Sequence, residues 1–339
     1  MVGAETPLTA HEAGQLTMVE IVLIGIGAGF ASALLFASIA SGAAISILLF
    51  YLAPLPIVMA GIGWSHLAAL IAALGAAAGL GLGFGFWFFI AHLAGVGMPA
   101  YVLAYVAMLA RPAPGGAVEW YPAGKLVLWT AGIAAASTAL TIPVFGGDLE
   151  TYRATVKHIF ERVIRSQLGT PAGEPLQLPS GGNVDATLNL LATVMPPMAA
   201  VVAMLTDLCN LWLAGRIARM SGRLARTWPE LSAVSFPAAT PVVLLAAIAL
   251  SFLPSIIGVA ASMLAACLLV AYVILGFAVV HQLTRALSAR GTILGAVWLA
   301  VLVLGWPAIV VALIGLADGL LDLRKINRPN SNFPNNNPE

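Results

Sequence analysis

Few side chains in this sequence could do chemistry, and the most telling is Asp207, set in an otherwise apolar run with Asn210 three residues on and Arg216 beyond. An ionised group in hydrocarbon costs at least about 2.5–3.5 kcal/mol, so one that persists there faces a bundle interior or a cavity. A spacing of three puts Asp207 and Asn210 on one helical face. A solute site and a structural polar pair explain them equally well. Arg216, Arg219, Arg223 and Arg226 then follow at spacings that keep one face of a helix, which should continue past the membrane as far as Trp228-Pro229. Each Arg near an anionic leaflet adds about 1 kcal/mol of attraction. Lipid anchoring is therefore the first expectation and docking of a cytoplasmic partner the second.

Asp318 and Asp322 share a face at the end of the last apolar run, where acids oppose the helix macrodipole. Pairing with Arg324 or Lys325 would relieve that. His92 and His281, lone histidines near expected span ends, read as satisfied polar residues, and Cys209 and Cys267 as packing residues in apolar helices. No HExxH, paired metal ligands, nucleophile–base constellation or phosphate loop occurs in the sequence. No catalytic residue, metal or cofactor is expected, and an enzyme reading has no residues to stand on.

The elements that must position these groups follow from charge. Ile21 through Ala110 is ninety residues without one Asp, Glu, Lys or Arg, and 126–147, 186–206, 231–284 and 291–317 are charge-free too. With 60% hydrophobic and 9% charged residues, the chain is far from a water-soluble composition. A spanning helix needs roughly 20 apolar residues. The fold class is thus all-α: a polytopic transmembrane helical bundle of about 8–10 spans, with one amphipathic interfacial helix. Expected spans are 20–41, 44–63, 66–89, 92–110, 126–146, 187–214, 238–256 and 260–284, followed by 291–323. Midway through this last region, Gly305-Trp306-Pro307 favours a hairpin of short helices over a single span. A tail at 1–19, one transmembrane domain at 20–325 and a disordered tail at 326–339 complete the organisation. The first apolar stretch lacks the basic flank of a cleaved signal and should stay as an anchor.

Apart from Arg153, Lys157, Arg162 and Arg165 in the long excursion 146–186, Lys and Arg outside the spans fall into four short-loop groups: Arg111 with Lys125, the Arg216–Arg226 run, Arg285 with Arg290, and Arg324, Lys325 and Arg328. The positive-inside rule puts them in the cytoplasm with both termini, consistent with a bacterial inner membrane. The hydrophilic excursion 146–186 then lies outside. Within it, Leu149, Tyr152, Val156, Ile159, Phe160, Val163, Ile164 and Leu168 recur at helical spacing, which suits an interfacial helix or a lid on the bundle. Pro54 with Pro56, and Pro196 with Pro197, should kink their helices towards the interior.

Gly25, Gly29, Ala33, Ala37 and Ser41 form a small-residue stripe on the first span, and Gly75, Gly79 and Gly83 another on the third. Such stripes let helices approach closely. The first either packs against the third span or docks another membrane subunit. The lipid bilayer is the expected partner; a net charge of +1 gives no reason to expect nucleic acid, and the sequence names no small-molecule ligand.

The Gly/Ala-rich first helix, Leu55-Pro56, Gly97-Met98-Pro99, Asn210 before an Arg-rich turn, and the closing Gly315-Leu-Ala-Asp318 … Asp322-Leu-Arg324-Lys325 together resemble the YybS-like family of uncharacterised bacterial multispan membrane proteins. That family in turn resembles the substrate-binding subunits of energy-coupling-factor transporters, in which an Ala-x-x-x-Ala pattern docks the coupling subunit; Ala33 and Ala37 match it. Those subunits have about six helices and roughly half this length, and no vitamin-contact motif is present. A transport-type protein binding a small solute between its helices is the leading expectation. A non-transporting scaffold, recruiting proteins through its grooves and basic stripe, is the alternative.

Overall fold

A computed structural model describes residues 17–171, 173–178, 181–227, 230–321 and 324. The expectations for residues 1–16, for Asp322, for Lys325 and for the tail 326–339 fall outside the described residues. The apolar runs become helices because lipid leaves each backbone amide and carbonyl to be satisfied within its own segment. Among the described residues seven helical segments are long and apolar enough to cross a membrane: Met18–Ser41, Ala44–Gly63, His66–Phe84, Phe86–Ala107, Ala123–Phe145, Val184–Met220 and Ile256–Leu283. Three shorter apolar helices, Thr240–Ser251, Arg290–Leu304 and Pro307–Leu321, join them. This is the all-α polytopic bundle expected.

Two local differences have clear causes. The span expected at 238–256 is a helix of only 12 residues, Thr240–Ser251, about 18 Å long, because Pro254 follows at once. Residues 110–120 form a short antiparallel hairpin, β1 (Ala110–Pro112) and β2 (Val118–Trp120), in which Arg111 faces Glu119 and pairs with it at 2.8 Å. The Glu119 carboxylate raises the Arg111 pKa.

The chain divides into two compact units, residues 1–121 with 206–227, and residues 122–205 with 228–339. In the first, α1 (Met18–Ala37) lies along α4 (His66–Phe84), and Gly25 and Gly29 are the buried contacts. A Cβ on Gly29 would meet Ala72 O at 2.8 Å and Ala72 Cα at 3.1 Å. The stripe therefore works internally over its first half. Ala33 and Ala37 are half-buried, and Ser41 is exposed in a 3-10 turn beyond the helix end. The partner face on α4 is Ala68, Ala72 and Ala76, while Ala69 and Ala73 turn towards Gly61 and Gly97; all five alanines are buried. Gly75, Gly79 and Gly83, the stripe expected to receive α1, are exposed instead. α2 (Ala44–Tyr51) and α3 (Pro54–Gly63) make one interrupted span; α5 (Phe86–His92), a π-turn at Leu93–Gly97 and α6 (Met98–Ala107) make another.

In the second unit α12 (Ile256–Leu283) is the central helix, packed against α7 (Ala123–Ala139), α11 (Thr240–Ser251) and α14 (Pro307–Leu321). Gly276 and Gly315 bring α12 and α14 into backbone contact. α13 (Arg290–Leu304) ends at Gly305 with φ 73°, a left-handed turn that glycine adopts without strain. Trp298 on α13 stacks on Phe277 of α12 at 3.9 Å. Arg285 meets Glu230 and Ser232, and Arg324 meets the carbonyls of Ser232 and Val234. The chain thus leaves by α13 and returns by α14 to the end it started from, the hairpin expected at 291–323.

Between α8 (Ile142–Phe145) and α10 (Val184–Met220), α9 (Leu149–Leu168) is capped by the Asp148 side chain on the Thr151 amide at 2.9 Å and closed by Gly169 at φ 64°. Hydrogen bonds from the Thr151 backbone and hydroxyl hold the Asp148 carboxyl below its usual pKa. Tyr152 and Val156 are buried while Ile159, Val163 and Leu168 stay exposed, so only the first turns of α9 pack down.

Candidate functional site

The break between α2 and α3 strands backbone carbonyls in the middle of a span. Pro54 and Pro56 have no amide hydrogen, and the Leu55 amide turns to Leu52 O at 3.0 Å rather than reaching Tyr51. Side chains from two other helices take up the slack. Asn210 on α10 donates through Nδ2 to Tyr51 O and Thr206 O, each at 2.8 Å. Ser32 on α1 donates to Ala53 O at 2.7 Å. With its one proton used, Ser32 can only accept from His92 Nε2, 3.0 Å away. That sets the tautomer: Nε2 carries the hydrogen and Nδ1 a lone pair.

Around this break two buried acceptors remain without a partner among the described residues, His92 Nδ1 and Asn210 Oδ1. Ser32, His92 and Asn210 are buried, and so is Asp207, which makes no hydrogen bond or ion pair among the described residues. Native proteins leave few buried polar atoms unpaired, and those that remain point to function or to an unseen partner. Phe36 closes over His92 edge-on at 5.2 Å. The π-turn directly after His92 ends where Pro99 withholds an amide hydrogen; such turns recur at functional sites. Sequence reasoning missed His92 and Ser32. His92 was expected near a span end with its polar groups satisfied, whereas it lies well inside the Phe86–Ala107 span and is only half satisfied.

The arginine run does not continue the helix to Trp228-Pro229, which is a correction. α10 stops at Met220 because Gly222 turns left-handed at φ 70°, with Arg223 N bonded to Ala218 O and Gly222 N to Arg219 O, the glycine C-terminal motif. The four arginines therefore separate. Arg216 and Arg219 stay exposed on the helix, Arg216 over the Trp212 ring at 5.8 Å and away from the Asp207 turn. Arg223 lies over Trp64 at 4.7 Å. Arg226 folds back into the unit, 5% exposed, and binds the carbonyls of Ala107 and Tyr121. Burial lowers its pKa, but a guanidinium stays charged.

In the second unit, Asp318 is buried and receives Arg324 through Nε at 2.9 Å, Nη2 at 2.8 Å and the backbone amide at 3.2 Å. This arrangement fastens the end of α14. The same unit holds a small open cavity of about 80 Å³ under α9, lined by Tyr152, Arg153, Thr193, Pro196, Ser251 and Ser255 among others. Among the described residues no group of three or more His, Cys, Asp and Glu could hold a metal.

Residues 30–319, most of the chain, match the family described as "Predicted membrane protein (DUF2232)", and the chain belongs to that family of uncharacterised membrane proteins. Neither the curated proteins nor the solved structures contain a match.

Proposed function

We propose that this DUF2232 member is a transport-type integral membrane protein that binds a small solute at the α2–α3 break of its first unit. The observation that carries the reading is the interrupted span, whose carbonyls are held by Asn210 and Ser32 while His92 Nδ1 and Asn210 Oδ1 stand open as acceptors. Transporters build substrate and ion sites from discontinuous helices of this kind. We place the protein in a bacterial inner membrane with both termini cytoplasmic and assign it no enzymatic activity. Native mass spectrometry of the protein purified in mild detergent tests the reading. The wild type should carry a small molecule that Asn210→Leu and Ser32→Ala lose; an empty wild type, or equal occupancy in all three, would oppose it.

A second reading, the scaffold, is favoured by the uncovered stripe Gly75, Gly79 and Gly83, beside which Leu82 is 92% exposed. A partner membrane helix would fit there. Docking in the manner of energy-coupling-factor subunits would instead use the half-buried Ala33 and Ala37. Gly79→Leu should then abolish co-purification of a partner under the first arrangement, and Ala37→Leu under the second.

A further inference from the structure

We infer that Asp207, with Asn210 Oδ1 beside it, binds a monovalent cation drawn from the aqueous phase, a proton or a sodium ion. This deepens the transport reading by naming what the same site takes up, and it rests on that reading for its purpose. Asp207 is 6% exposed on α10. Its unit offers it no countercharge within the membrane. The helices α1 to α6 carry no Asp, Glu, Lys or Arg from Ile21 to Ala110, and their titratable groups are Tyr51, His66, His92, Tyr101 and Tyr105. The one hydrogen on the His92 ring is already given to Ser32. The unit's other charged residues off α10 lie at the ends of spans: Glu20 in the first turn of α1, Arg111, Glu119, Arg223 and Arg226. On its own helix Cys209 is exposed, and Arg216 and Arg219 stand nine and twelve residues further on, about 14 and 18 Å along the axis. Both arginines are exposed.

No ion pair compensates Asp207 among the described residues, and an uncompensated carboxylate in a membrane span is costly, so a cation from the aqueous phase is the charge that suits it. Asn210 lies one turn on, on the same face. Both of its Nδ2 hydrogens are used on backbone carbonyls, so Oδ1 presents only lone pairs. Two carboxylate oxygens and an amide oxygen make an all-oxygen set, the chemistry of hard monovalent cations and of protons in transporters. The described residues hold no larger ligand cluster that would suit a transition metal. Proton uptake forms an O–H bond on the carboxylate, supplying the donor that Asn210 Oδ1 lacks; sodium would be shared by the same oxygens.

The test is labelling of the full chain in mild detergent by dicyclohexylcarbodiimide, which modifies protonated carboxyls in apolar surroundings, with the adduct at residue 207 quantified by peptide mass spectrometry. Asp207→Asn sets the background. If the cation is a proton, labelling falls about tenfold per pH unit above the site's pKa and ignores sodium. If it is sodium, sodium chloride suppresses labelling several-fold while N-methylglucamine chloride does not. Labelling of Asp207 that responds to neither pH nor sodium, or its absence under every condition while the unfolded chain is modified, overturns the inference. The readout needs no transport, so failure of the solute-binding test leaves it standing, and a cation-insensitive Asp207 leaves the solute reading to its own experiment.

Discussion

The α1–α4 contact makes a graded prediction. A methyl group added at Gly29 would sit 2.8 Å from Ala72 O, 3.1 Å from Ala72 Cα and 3.3 Å from Ala76 N, all backbone atoms that cannot rotate aside. Ordinary contact begins near 3.4 Å, so the helices must part by about half an ångström, and dispersion contacts weaken steeply over such gaps. At Gly25 the nearest atom, Ile71 Cγ2 at 2.7 Å, can rotate aside, while Ile71 Cβ at 2.8 Å and Ala68 O at 3.0 Å cannot, so one of the three close contacts can relax. At Gly27 nothing lies within 4 Å. Alanine adds about 1 kcal/mol of helix propensity at all three positions, and overpacking subtracts about 1–3 kcal/mol where it occurs. Relative to Gly27→Ala, Gly29→Ala should therefore unfold with about 1–3 kcal/mol less stability in a detergent-denaturation titration, and Gly25→Ala should fall between them. Equal midpoints for Gly27→Ala and Gly29→Ala would refute the close approach of α1 to α4.

Three further outcomes follow from the geometry. Arg324→Met should cost about 3–5 kcal/mol because it strands the buried Asp318 carboxylate, whereas Arg285→Met, which breaks an exposed pair with Glu230, should cost about 0–1 kcal/mol; denaturation midpoints measured side by side check the contrast. Ser32→Ala removes the donor to Ala53 O and the acceptor of the His92 hydrogen, and should destabilise the first unit by about 1–3 kcal/mol, read by the same titration. Reporter fusions after Arg328 and within 170–182 should report the cytoplasm and the outside, respectively; an external signal from the first would contradict the inward orientation of the α13–α14 hairpin.

Much of the fold was legible because charge is nearly forbidden in lipid: the charge-free runs marked the helices directly. Gly305-Trp306-Pro307 announced the α13–α14 reversal through backbone chemistry alone, and the apolar period of 149–168 delivered α9. The misreadings have physical sources. Alanine and glycine both permit close helix approach, so spacing could not tell that α4 turns Ala72 and Ala76 towards α1 and leaves Gly75 and Gly79 exposed. The arginine spacing suggested a continuing helix, but Gly222 was the available stop signal, and it separates Arg216 and Arg219 from Arg226. The prolines flagged the α2–α3 break. Which side chains would satisfy its carbonyls is a long-range matter, since Ser32 and Asn210 come from 21 and 159 residues away from the carbonyls they bind.

The central claim, that the α2–α3 break faces a polar site open to small polar solutes, is tested most directly at Thr206. Its backbone carbonyl accepts from Asn210, and its side chain lies one turn from Asn210 on the same helical face. Thr206→Cys in a Cys209→Ser, Cys267→Ser background keeps that carbonyl and places a thiol at the site. In membranes, the thiol should react with a small, charged, water-soluble methanethiosulfonate, and the retained solute should slow that reaction. A thiol inert to the charged reagent yet modified by a lipid-soluble maleimide would show a dry, lipid-facing surface and contradict the account.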